Sequence, residues 1–169
     1  MKKIFFVLAI LIAGCAANKT VRLSRPFDGE HARSQLQDGP NTINGSALIR
    51  QAGGGIVTCA GNPVYLMPVT DTAKEWASHV YGSWNAGFRN AATQGVMFKN
   101  ADEFMATVRT SICDPNGSFK FEHVANGEFF VFTRIVWHVG GEIQGGSVMR
   151  AVKVDGTSNP TIVLSPYGS

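Results

Sequence analysis

An antiparallel β-sandwich with one short inserted helix is the fold class the sequence predicts, and three observations predict it. From Thr42 onward, apolar and polar residues alternate with the period of a strand in about eight short segments. Turn formers punctuate those segments: Gly61-Asn-Pro63, Asp114-Pro-Asn-Gly117, Asn126-Gly127 and the glycines from Gly140 to Gly146. The composition agrees. Charged residues make up 16% of the 169 residues, hydrophobic residues 44%, and there are 19 glycines. A coiled coil or a disordered chain would carry far more charge and far less glycine at turns, since ordinary domains hold roughly 25% charged residues.

The elements follow in order. Thr42-Ile-Asn-Gly-Ser-Ala-Leu-Ile-Arg50, Ile56-Val-Thr-Cys59 and Val64-Tyr-Leu-Met-Pro68 read as three strands, with Gly53 to Gly55 between the first two. Asp71 to Tyr81 breaks the rhythm: Ala73, Trp76, Ala77 and Val80 fall at helical spacing, and Thr72 with Glu75 can form a capping box. Ser83 to Asn100 reads as a partly packed loop holding Trp84, Phe88, Val96 and Phe98. Phe104 to Ile112 alternates as a half-buried strand, although the segment from Ala101 can begin with a helical turn, and Ser118 to Glu122 is the next strand. Glu128 to Val139 is a long strand with Phe129, Val131, Thr133, Ile135 and Trp137 on one face and Phe130, Phe132, Arg134, Val136 and His138 on the other, so both faces require cover. The glycine-rich stretch from Gly140 to Gly146 closes a hairpin onto Ser147 to Val154, and Thr161 to Leu164 makes the last strand. There is no internal repeat, and the length suits one domain.

The first residues carry a different signal. Met1-Lys2-Lys3 is a basic start, and Ile4 to Ala13 is an apolar run that reaches about 15 Å as a helix, half of a bilayer core, so it reads as a secretory leader rather than a span. The junction Leu11-Ile12-Ala13-Gly14-Cys15 resembles the lipobox of bacterial lipoproteins. That resemblance implies removal of residues 1–14 and acylation of Cys15, with three acyl chains holding the protein to a membrane. Ala16 rather than Asp after the cysteine points, by the same resemblance, to the outer membrane of the cell envelope. Residues 15–41 are polar and mixed in charge and read as a lipidated flexible tether, leaving 42–169 as the sandwich domain. Fifteen basic residues against twelve acidic ones give +3, and two of the basic ones lie in the leader, so no nucleic-acid footprint exists.

With Cys15 assigned to lipid, Cys59 and Cys113 remain, in a chain facing an oxidising compartment, and a disulfide is the simplest reading. Two buried thiols are an alternative. A cysteine nucleophile paired with His79, His123 or His138 is another, and would make a small hydrolase.

The succession Ile43-Asn-Gly-Ser-Ala, Val64-Tyr-Leu-Met-Pro and then Asp114, Gly117, Phe119, Phe121, Val124, Gly127, Phe129 and Val131 resembles the carboxypeptidase regulatory-like domain. The likeness runs from Thr42 to Leu164 and implies a transthyretin-type (prealbumin-like) sandwich. That family is generally non-catalytic, a folding or binding module attached to other proteins. Two features depart from its pattern: the long stretch from Asp71 to Glu103 with its own helix, and the Gly53 to Gly61 hairpin carrying Cys59. Specific function is expected in such insertions.

Chemistry-bearing motifs are sparse. No nucleophile elbow, zinc-protease pair or phosphate-cradling glycine loop occurs. Asp114-x-Asn116-Gly117 starts like a calcium loop but lacks the later acid ligands, so it reads as a turn. No catalytic residue, metal or cofactor is expected. Trp76, Tyr81, Trp84 and Phe88 form the candidate binding surface, able to stack on sugars or grip a protein. The function expected is a non-catalytic structural or protein-binding module of the envelope, with an envelope protein as partner; the alternative is a carbohydrate or peptidoglycan binder using those four aromatics.

Overall fold

The computed structural model describes residues 19–98, 103, 106–157 and 159–167. The leader, Cys15, Phe104 and Met105 lie outside the described residues. The chain is mainly β, as the alternation predicts; two of its sheets face each other as a sandwich, and β1 and β6 form a separate two-stranded sheet. The elements are β1 (Lys19–Val21), α1 (Gly29–Gln35), β2 (Asn41–Arg50), β3 (Ile56–Thr58), β4 (Pro63–Pro68), α2 (Asp71–Tyr81), β5 (Ala86–Asn90), β6 (Val96–Phe98), β7 (Arg109–Ile112), β8 (Ser118–Val124), β9 (Gly127–Val139), β10 (Glu142–Val154) and β11 (Thr161–Leu164).

One sheet runs in the order β5-β10-β9-β4-β7, every pair antiparallel. The other is built around β2, which takes β11 in parallel on one edge and β8 antiparallel on the other. Ala47 donates its N–H to Gly117 O and accepts from Cys59 N with its carbonyl. Both groups of one strand residue point to the same side, so β3 continues the edge where β8 leaves off.

The sheets close on a core of Ile43, Val64, Leu66, Phe129, Val131, Ile135, Val148 and Leu164, among others. Cys59 and Cys113 are disulfide-bonded inside it, Cα atoms 5.7 Å apart, tying the end of β7 to the turn after β3. The sandwich fold and the disulfide therefore stand as read from the sequence, and the cysteine-nucleophile alternative loses its thiol.

The opposite face of the five-stranded sheet carries a second core, where Phe130, Phe132, Met67 and Met149 lie beneath Ala73 and Ala77 of α2. This is the cover that the two-faced pattern of β9 demands. Helix α2 has the predicted bounds, yet its cap differs. Thr70, one residue before the helix, accepts from Ala73 N at 3.1 Å. Thr72 is inside the first turn and gives its hydroxyl proton to Pro26 O, while Glu75 is drawn to the N-terminal segment.

That segment corrects the tether reading over residues 19–40. β1 pairs in parallel with β6, α1 buries Ala32, and Leu23 and Phe27 pack on the second core. Glu75 accepts from the backbone N and the hydroxyl of Ser24, and those bonds hold its carboxyl below the ordinary range despite opposing desolvation. Arg25 pairs with Asp71 at the start of α2.

A further correction concerns the middle of the chain. The segment read as a loop contains β5 and β6, because Phe88 anchors on the inter-sheet core and β5 completes the edge beside β10. Asn126-Gly127 turns the chain as expected, and because β8 and β9 belong to different sheets that turn carries it from one sheet to the other. Buried Asn41 secures that crossing. Its amide donates to Val124 O (2.8 Å) and Asn126 Oδ1 (2.9 Å) and accepts from Gly156 N (2.7 Å).

Candidate functional site

The four aromatics expected to form one surface are placed on different sides of a sheet. Trp76 and Tyr81 pack on the second core, with ring centroids 5.9 Å apart and Trp76 5.4 Å from Phe132. Burial pushes the Tyr81 hydroxyl up to about 12, against the opposing effect of its 2.7 Å hydrogen bond with Ser147. Phe88 faces the inter-sheet core. Trp84 alone is exposed, at 39%, with the Lys74 ammonium 4.6 Å from its ring centroid.

The histidines do not converge either. His79 is on α2, 3.9 Å from Glu75; His123 is an exposed residue of β8; His138 is exposed on β9. Among the described residues no group of three or more His, Cys, Asp or Glu could hold a metal ion. Asp114 forms a turn, its Oδ1 accepting from Asn116 N at 2.8 Å and Ser118 N at 2.9 Å.

A different set of aromatics meets at one end of the sandwich. β4 pairs with β9 only as far as Thr133, and β5 with β10 only from Gly146 onward, so Arg134 to Gly145 stands out as a two-stranded ribbon. At the base of that ribbon lies an open cleft of about 400 Å³. Phe88 of β5, Trp137 of β9 and Tyr167 near the C-terminus supply aromatic walls, and Arg50, Gln51, Asn90 and Gln144 supply polar groups. Tyr167 is 71% exposed, whereas Phe88 and Trp137 are seated on the inter-sheet core.

Two glycines make the seat. A Cβ built on Gly145 would fall 2.7 Å from the Trp137 ring and 2.2 Å from Ile135 O; one on Gly146 would fall 2.6 Å from the Phe88 ring and 2.1 Å from Arg89 O. Both rings therefore lie close against bare β10 backbone. The Trp137 indole donates to Gln144 Oε1 at 3.1 Å, which orients the ring and leaves the Gln144 amide nitrogen without a partner among the described residues. Asn90 Oδ1 is engaged by Ala92 N, so its amide N–H groups also remain.

Two larger clefts lack this chemistry. One, of about 670 Å³, lies over Asn44, Ser46, Ser118 and Lys120 with only buried Phe119 as an aromatic. The other, of about 650 Å³, lies where the N-terminal segment meets α2 and is spanned by the Arg25–Asp71 pair. Convergent aromatics and amides, rather than volume, select the cleft at the ribbon base.

Sequence reasoning found Phe88 and missed Trp137, Tyr167, Arg50 and Gln144. The available signal was the pair Gly145-Gly146 beside an aromatic-bearing strand.

No family model matches the sequence, and no curated protein matches it. Among solved structures, the chain is similar to a crystal structure of a Pseudomonas aeruginosa protein provisionally described as carbohydrate binding, with 23% identity, a TM-score of 0.64, and coverage of 84% of this chain and 97% of that one. At that identity the likeness is one of fold.

Proposed function

We propose that this chain is a non-catalytic glycan-binding module of the bacterial cell envelope, carried on an acylated Cys15. The observation that carries the reading is the cleft of Phe88, Trp137 and Tyr167 with its unfilled amide donors. Sugar rings offer flat C–H faces for stacking and a rim of hydroxyls, and this cleft offers aromatic faces beside planar amides. A neighbour of the same fold described as carbohydrate binding supports it. The separated histidines and the bonded cysteines support a binding rather than hydrolytic role, and the lipobox-like junction supports the anchor.

Calorimetric titration of the mature protein with cell-wall and capsular oligosaccharides tests the reading. Trp137→Ala is expected to weaken binding about tenfold or more, whereas Trp84→Ala leaves it unchanged. Binding that depends on Trp84 and not on Trp137 would move the site to the helix α2 face and overturn the assignment. Fatty-acid labelling in cells, abolished by Cys15→Ser, checks the anchor.

A further inference from the structure

Arg50 stands at the end of β2, exposed, on the wall of the ribbon-base cleft. Several of the molecule's other cations are engaged. Arg25 pairs with Asp71, Lys74 with Glu128 and Lys120 with Glu122; Arg109 donates to the carbonyls of Glu122 and His123, and Arg89 to that of Gln94. The Arg50 backbone is paired with Ile56 of β3, but its guanidinium has no hydrogen bond or ion pair among the described residues. No Asp or Glu lines the cleft, so an incoming anion meets one free guanidinium and no opposing carboxylate.

On these grounds, and resting on the glycan reading above, we infer that the cleft selects acidic saccharides: the ring stacks on Trp137 while its carboxylate is taken by Arg50. A guanidinium presents paired N–H donors at the spacing of the two carboxylate oxygens, so the contact is bidentate and discriminates a carboxylate from a hydroxymethyl at the same ring position. The remaining amides, Gln144 and Asn90, are neutral donors that serve either sugar. Selectivity for the acid therefore rests on one residue, and stacking rests on others.

The experiment uses hexagalacturonate, a hyaluronan hexasaccharide and peptide-free peptidoglycan strands, each beside its carboxyl-reduced counterpart, titrated into the full mature protein in detergent. The expected result is an acidic probe bound at least tenfold more tightly than its reduced form, with the preference shrinking as salt is added. Arg50→Gln is expected to cost the acidic form at least tenfold in affinity and the reduced form far less, so that the preference disappears; Arg50→Lys, which keeps charge without the fork, falls between. Trp137→Ala weakens both members of the pair. Equal affinity for acid and reduced forms, or a preference that survives in Arg50→Gln, overturns this inference and leaves the glycan reading standing. Failure of every probe, acidic and reduced, overturns both.

Discussion

Replacing Gly145 with alanine separates two reasons why glycine stands there. Its φ of 85° lies in the left-handed region, where a Cβ costs roughly 1–2 kcal/mol. The added methyl would also sit 2.2 Å from Ile135 O and 2.7 Å from the Trp137 ring. The carbonyl belongs to the β9–β10 ladder and cannot retreat without breaking pairing, so overpacking adds about 1–3 kcal/mol. The total is about 2–5 kcal/mol. Two other glycines isolate the contributions. Gly54, at φ 89° with nothing within 4 Å, carries only the backbone strain; Gly146 carries only the contact, 2.1 Å from Arg89 O. The gain from a less flexible unfolded chain is common to all three alanine variants and cancels in the comparison. Urea denaturation followed by circular dichroism gives the stabilities, and the Trp137 indole N–H resonance, assigned with Trp137→Phe, reports the ring. A Gly145→Ala protein within about 0.5 kcal/mol of Gly54→Ala, with that resonance unmoved, would refute the claim that the glycine seats the ring.

Three further outcomes are expected. Asn41→Ala removes the three hydrogen bonds of a buried side chain and lowers stability by about 3 kcal/mol, against about 1 kcal/mol for Asn126→Ala, which removes one of them; chemical denaturation decides. Reduction of the Cys59–Cys113 bridge, which spans 54 residues, lowers stability by about 4 kcal/mol on the chain-entropy model, measured by urea unfolding with and without reductant. Tyr81 titrates at about 12 in the folded protein against about 10 in the unfolded chain, so its contribution is complete below pH 10 and is lost as pH rises toward 12; the late step in an ultraviolet absorbance titration disappears in Tyr81→Phe.

What could be read from sequence was what short-range pattern encodes. The alternation through Phe129, Phe130, Val131 and Phe132 announced a strand covered on both faces, and Ala73, Trp76 and Ala77 announced the helix that covers one of them. The segment 19–40 was misread because its apolar residues, Leu23, Phe27 and Ala32, are too sparse to show a period, and the core they pack on is built from residues that follow much later in the chain. The cleft was illegible for a related reason. Its walls come from the ends of β2, β5 and the ribbon and from the C-terminus, which no local pattern links. Gly145-Gly146 looked like part of a turn because paired glycines usually are, but Gly140-Gly141 makes that turn and frees the second pair to receive rings.

Strand β9 is shared property. Phe129, Val131 and Ile135 bind it to the inter-sheet core, while Phe130 and Phe132 bind it to the layer under α2, and Trp137 further along forms the cleft wall. A layer that lost its grip on β9 would take with it the residues holding the other, so neither can melt as a separate foldon. Probes placed in the helix layer, such as Trp76, and probes at the cleft, such as Trp137, should therefore report a single coincident transition, and damage in one layer should be felt as a loosening of the ligand-facing end.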